Sequence, residues 1–295
     1  MNDILVFNIA RLAVKSLLNA AAAWPKPGLV TPLEGAGGTD FQSVVDGALA
    51  LLPCFLNCAS IGFETEELKP EDTMSLLRPA GLQGEREVEW AVRGSLSFRG
   101  SIFFLGLLSA AAGRLFAQKR NLTPMALALS ASACVRGCME QELHSLDPRS
   151  AGQSAGRRVW LLYGVEGARG EVERGFPLTL RAVDLMKKLE DEHSGFLSAR
   201  ELAAQAFLSI LIDNADSALA EASGLEGMLR AQGAAREAFK AGGVLTTDGR
   251  AAVEELDKSF RGAGACPRGA MVVLSAALFI RELEGLCPTR TGRAE

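Results

Sequence analysis

The residues able to do chemistry gather in a few glycine-bearing clusters. In chain order these are Pro25-Lys26-Pro27-Gly28-Leu29-Val30, Gly37-Gly38-Thr39-Asp40, Arg99-Gly100-Ser101, Gly167-Ala168-Arg169-Gly170-Glu171, Asp213-Asn214-Ala215-Asp216 and Cys266-Pro267-Arg268-Gly269. Most set a charged side chain beside a glycine or a helix start. Such places suit phosphate, because exposed backbone N–H groups and the helix dipole both favour anions. Arginine adds bidentate contacts, and carboxylates can hold Mg²⁺ against the same phosphates. The plainer reading of each cluster is a turn. No G-x-x-x-x-G-K-[ST] sequence occurs, so a P-loop is excluded.

The elements that must position these clusters read as helices. Leu5, Ile9, Leu12, Leu17 and Ala20–Ala23 predict a helix over 3–23, stopped by Trp24-Pro25-Lys26-Pro27-Gly28. An ordered loop runs from there to Asp40, and helical pattern returns over 41–59. The polar stretch 64–90 predicts a surface excursion or a short helix pair. Further helices are expected at about 101–117, 123–143, 160–166, 178–192, 198–213, 217–240, 250–260 and 268–284. Between them, 146–158 reads as a mobile loop and Gly167–Pro177 as another loop. No period of 20–50 residues repeats, so one domain over 1–287 is expected, with a frayed tail at 288–295.

Composition agrees with this outline. The chain has 295 residues, 48% hydrophobic but only 6% aromatic, with a single tyrosine. Alanine and leucine head the helix-propensity scale, whereas strands favour β-branched and aromatic residues, so the fold class expected is all-α. It would be a single multi-helix globular domain with Gly/Pro-rich, ligand-facing loops. The 31 glycines then belong at helix ends, at close helix contacts or in those loops. Net charge is −4, which argues against a general nucleic-acid or membrane-surface binder. The run Ser101–Gly113, about 13 residues between Arg99 and Arg114, falls short of the ~20 that span a bilayer. With no signal-peptide pattern at Met1–Val6, the expectation is a soluble cytoplasmic protein. Cys54/Cys58 and Cys134/Cys138 each lie four apart, and buried filler is the expected role rather than a metal site. His144 and His193 have no neighbour at ligand spacing.

Taken in order, Pro25–Val30, the run Gly100-Ser101-Ile102-Phe103-Phe104-Leu105-Gly106-Leu107-Leu108, and Ala168–Glu171 followed by Gly175-Phe176-Pro177 resemble the triphosphoribosyl-dephospho-CoA synthase family. The resemblance covers about residues 20–280. It implies an all-α transferase that moves the triphosphoribosyl group of ATP to 3′-dephospho-CoA and releases adenine. The product would be the prosthetic-group precursor for the acyl carrier of citrate lyase or malonate decarboxylase. The ligands implied are ATP and 3′-dephospho-CoA, with Mg²⁺, and neither nucleic acid nor a membrane; a homodimer is left open.

Carried over residue by residue, the resemblance implies Asp40 or Glu171 as the catalytic base. Glu171 and Asp216 would be Mg²⁺ ligands. Lys26, Gly28, Arg99, Gly100, Arg169 and Gly170 would contact substrate phosphates. The plainer alternatives are a surface ion pair for Arg169 and Glu171, and a helix N-cap for Asp216. The chain departs from the family pattern where Gly38, Leu96, Phe98 and Ala218 replace polar side chains. That keeps open a non-catalytic nucleotide- or protein-binding module, or an enzyme with a changed nucleotide substrate.

Overall fold

The computed structural model describes residues 2–92, 97–137, 155–193 and 196–286. These residues form α1 (Asn2–Ala22), α2 (Phe41–Ala50), α3 (Leu52–Glu64), α4 (Pro70–Ala91), α5 (Arg99–Ala117), α6 (Pro124–Ala133), α7 (Ala155–Tyr163), α8 (Gly167–Glu173), α9 (Pro177–His193), α10 (Ala199–Asp213), α11 (Ser217–Lys240), α12 (Thr247–Gly262) and α13 (Arg268–Glu284). A single 3₁₀ turn, Gly243–Leu245, precedes α12. No strand occurs among the described residues, only an isolated bridge between Ala36 and Thr39. The all-α expectation holds.

Helix α5 is the axis. It is apolar on every side, the pattern of a helix enclosed by protein, and it is buried from Phe104 through Leu115. Its closest partner is α3, and glycine sets that approach. A Cβ at Gly62 would run into the Ala110 carbonyl oxygen, and one at Gly113 into the Ala59 carbonyl oxygen. Only glycine lets the two backbones meet this closely. Around this pair, α1, α10 and α13 complete a core that runs from Val6 to Leu283.

Several sequence expectations need correction. Residues 64–90 hold neither a surface excursion nor a helix pair, because α4 is one continuous helix with Pro79 inside it. Pro79 is solvent-exposed, and its buried stripe (Thr73, Leu77, Ala80, Gly84, Val88) keeps helical spacing across the proline; that packing outweighs the backbone bond which proline removes. Residues 167–173, expected as loop, are α8. Helix α6 ends at Ala133 instead of near 143, and α7 begins at Ala155, inside the expected mobile loop. The rest of that loop, together with Leu96, Cys138, His144 and the tail 288–295, lies outside the described residues.

The membrane expectation also changes in its reasoning. By length and composition, Asp3–Ala22, Phe41–Glu64 and Arg99–Ala117 are each apolar enough to cross a bilayer. The uncharged run of α5 looked too short because Arg114 closed it. Arg114 is in fact buried, donating to the Thr73 hydroxyl at 3.2 Å and to the Leu68 carbonyl. Phe41–Glu64 breaks into α2 and α3 at Leu51.

Candidate functional site

Helix beginnings define the most chemically loaded place in the fold. The first turns of α5, α8, α11 and α13 all contribute to the wall of one cavity of about 870 Å³, joined by α7 and by one face of α4. Arg99, Arg169 and Arg268 stand in the first turns of α5, α8 and α13, and none of the four first turns carries an acidic residue. A cation there opposes the helix dipole, whose N-terminal end is itself positive. Arg78 and Arg157 add two more guanidinium groups. Five arginines and converging helix N-termini concentrate positive potential although the chain as a whole is acidic. A polyanion is the natural complement.

Three carboxylates, Glu85, Glu166 and Glu221, share the wall. Each is ion-paired: Glu85 with Arg99 at 2.9 Å, Glu166 with Arg174, and Glu221 with Arg158. These pairs are partly exposed, so each contributes little to stability and can yield to a ligand. Trp160, Asn214, Ser97 and Ser217 supply further polar and aromatic surface.

Of the residues expected from sequence, Arg99, Gly100 and Arg169 line this cavity. The others do not, and most have a clear task elsewhere. Lys26 is a correction: its Nζ is buried and donates to the Ala20 and Ala21 carbonyl oxygens at 2.7 and 3.0 Å, and lies 3.5 Å from the Met271 sulfur. It satisfies orphan carbonyls at the end of α1 and is not part of the cavity wall. Burial pushes its pKa down from 10.5 to about 7. Gly28 sits at φ 72° with its N–H on Asp257 Oδ1 at 2.7 Å, and a Cβ there would strike the Ala265 carbonyl oxygen. Arg261 ties the same loop down, donating to Gly35 O at 2.6 Å and Leu29 O at 3.1 Å.

Asp40 caps α2 by accepting the Ser43 N–H at 2.7 Å, which holds its carboxyl below the usual range, and it is exposed. Gly170 packs on α8 beside Glu166 and Arg174. Glu171 is buried beneath α8: Oε1 accepts from the Thr179 N–H at 2.9 Å and the Thr179 hydroxyl at 3.2 Å, while Oε2 has no partner. It caps α9, and burial raises its pKa.

Asp216 is completely buried. Oδ1 caps α11 through the Ala218 and Leu219 N–H groups at 3.0 and 3.2 Å; Oδ2 accepts from Ala270 N at 3.0 Å and Asn214 Nδ2 at 3.2 Å. The N-cap reading is therefore the correct one, and burial raises this carboxyl's pKa too. Both oxygens are saturated by donors, so Asp216 does not fit a Mg²⁺ ligand. Glu171 does not fit either, since it lies beneath α8 and outside the cavity wall. No group of three or more potential metal ligands occurs among the described residues.

Sequence reasoning missed Arg78, Arg157, Trp160 and the three glutamates, and it quoted Arg268 without assigning it a role. The usable signal was arginine in a helix first turn that carries no acidic residue. The departures from the family pattern scatter. Ala218 lines the cavity, Phe98 is buried with its ring against Gly47, and Gly38 stands in open space at φ 75°. Cys54, Cys58 and Cys134 are buried thiols, as expected of filler, and Cys266 is half-buried near Gly37.

Comparison with known proteins adds an independent finding. The sequence profile described as CitG, ATP:dephospho-CoA triphosphoribosyl transferase, matches residues 7–290. A 2-(5″-triphosphoribosyl)-3′-dephosphocoenzyme-A synthase from Klebsiella pneumoniae is 31% identical over 90% of this chain and 87% of its own. The protein of the same name from Escherichia fergusonii is 29% identical over 92% of this chain and 89% of its own. No solved structure matches.

Proposed function

Because the chain belongs to the ATP:dephospho-CoA triphosphoribosyl transferase family, we propose that it transfers the triphosphoribosyl group of ATP to 3′-dephospho-CoA in the arginine-lined cavity. A ribose hydroxyl of the acceptor attacks C1′ of the ATP ribose. The bond from C1′ to the adenine nitrogen breaks, and adenine leaves with the bonding electrons and takes up a proton. The observation that carries this reading is the set of first-turn arginines, Arg99, Arg169 and Arg268, facing one space with the helix N-termini. They hold a triphosphate in place while positive charge develops on the sugar.

The hydroxyl proton needs an acceptor. Glu85, Glu166 and Glu221 are the carboxylates on the cavity wall among the described residues, and the base is drawn from them in preference to Asp40 or Glu171. An anionic carboxylate near the sugar also favours the charge that builds up at C1′. Mg²⁺ would arrive on the triphosphate itself. Glu171 and Asp216 serve as helix caps that fix α9, α11 and α13. The enzyme is read as soluble and cytoplasmic; the soluble part of that reading is supported by the enclosure of apolar α5, which is buried from Phe104 through Leu115.

The test is chromatographic. Purified protein with ATP, Mg²⁺ and 3′-dephospho-CoA should release adenine in equal amount to an acceptor carrying the added triphosphoribosyl mass. No adenine release overturns the reading.

A further inference from the structure

One arm of the cavity is unlike the rest. Along α4 the wall residues Met74, Leu77, Gly81 and Glu85 recur at helical spacing, and along α5 so do Arg99, Ile102, Gly106 and Leu107. The Glu85–Arg99 ion pair sets the two helices antiparallel at their charged ends. Gly81 then faces Ile102, where an added Cβ would sit 3.4 Å from Cγ2. Farther along, Leu77 and Met74 lie toward Gly106 and Leu107, and Cys58 of α3 closes the floor, 3.3 Å from a Cβ built on Gly106. At 1.5 Å per residue, Arg99 to Leu107 measures about 12 Å. The result is a mostly apolar channel with Arg78 on its α4 wall and the Glu85–Arg99 pair at its mouth, in which side chains on Gly81 or Gly106 would reach Ile102 or Cys58.

A nucleoside triphosphate has nothing to place in such a channel. The acceptor does: 3′-dephospho-CoA carries a diphosphate followed by a long, flexible arm with a dimethyl group and a terminal thiol. We propose that the α4–α5 channel holds this pantetheine arm, with the acceptor diphosphate at its mouth beside Arg99. The ATP triphosphate then occupies the other side, at Arg169 and Arg268. The assignment rests on the reaction proposed above, and it makes Gly81 the residue that sets preference for the acceptor over shorter nucleotides.

The test uses Gly81→Leu and, as a graded step, Gly81→Ala. Both replacements are better helix formers than glycine, so α4 is expected to fold at least as well, which a thermal melt checks. Each protein is assayed with ATP and two acceptors, 3′-dephospho-CoA and ADP; ADP has the same adenosine diphosphate end and no arm. The wild type should show a KM for 3′-dephospho-CoA at least tenfold below that for ADP. Gly81→Leu should raise the former tenfold or more and leave the KM values for ADP and ATP within twofold. A Gly81→Leu enzyme whose 3′-dephospho-CoA KM stays within twofold, or whose ATP KM rises equally, overturns the assignment. Calorimetric binding of each ligand separates this result from failure of the reaction itself. Loss of 3′-dephospho-CoA binding with ATP binding retained supports the channel even where no adenine is released. Binding of neither ligand to the wild type overturns both.

Discussion

The loop 25–40 and the arginine cavity are built from similar residue types, yet they use them in opposite ways. In the loop, charge is spent on holding the backbone. Lys26 caps α1, Asp257 accepts the Gly28 N–H, and Arg261 holds the Gly35 and Leu29 carbonyls. In the cavity, arginines stand at helix starts where the local field repels them, and their glutamate neighbours are only partly buried. The loop is a fastening, and the cavity is the proposed site. A charged residue beside glycine and proline can thus do either: Lys26 fastens a loop, whereas Arg268, between Pro267 and Gly269, lines the cavity. What distinguishes the two regions is whether the charge already has partners that burial enforces.

That contrast can be broken by mutation, and the largest expected effect lies in the cavity. Arg169→Ala and Arg268→Ala should each raise the KM for ATP ten- to a hundredfold, since a charge-assisted contact is worth about 1.5–3 kcal/mol. Their melting temperatures should stay close to wild type. Steady-state kinetics with ATP as the varied substrate checks this, and an unchanged KM for both variants would remove the arginines from the site.

Lys26→Met should do the reverse. Leaving the Ala20 and Ala21 carbonyls without a donor costs about 1–3 kcal/mol, read as a lowered unfolding midpoint in urea, while the KM for ATP stays within twofold. A raised ATP KM with unaltered stability would return Lys26 to the phosphates.

A smaller effect follows from pH. Lys26 has a folded pKa of about 7 against the ordinary lysine value of 10.5, so between these values the unfolded chain binds more protons. Wild-type stability should therefore climb from pH 7 toward pH 10 relative to Lys26→Met. Urea unfolding of both proteins across that range measures the difference, and parallel curves would contradict the buried-amine description.

The smallest effect is expected at Glu171→Gln. The amide keeps an acceptor for Thr179, and its NH₂ takes the place of the partnerless Oε2, so adenine release should remain within threefold of wild type. A loss of several hundredfold would make Glu171 the base after all. Because burial raises the Glu171 pKa, the carboxyl stabilises the fold in its protonated form. Wild-type stability should decline relative to Glu171→Gln as pH rises above the ordinary carboxylate range.

Much of this was legible beforehand. The apolar spacing located nearly every helix, and the order of Pro25–Val30, the α5 run and Ala168–Glu171 pointed to the right family. Arg99, Gly100 and Arg169, expected from the sequence at substrate phosphates, line the cavity. Lys26, Asp216 and Glu171 were not, because sequence records that a residue is charged and lies near a turn but not which way it faces. Asp216 carried its alternative openly: an aspartate before Ser217 is an N-cap signal, and capping is what it does. The glutamates of the cavity left no trace, since Glu85 and Glu221 sit within long helices where acidic residues are commonplace.

The amino-acid sequence alone determined the helical class, the family and the presence of local phosphate-suited charge in a chain of net −4. Those properties depend on residues near one another in the chain, or on composition. Only the tertiary structure decided which charges line the cavity. The Glu85–Arg99 pair and the Asp216 bridge from α11 to α13 join residues 14 and 54 positions apart. Such partnerships come from helix packing, where glycines such as Gly62 and Gly113 set how closely the backbones approach, and packing is what turns one lysine into a cap and leaves three arginines facing a cavity.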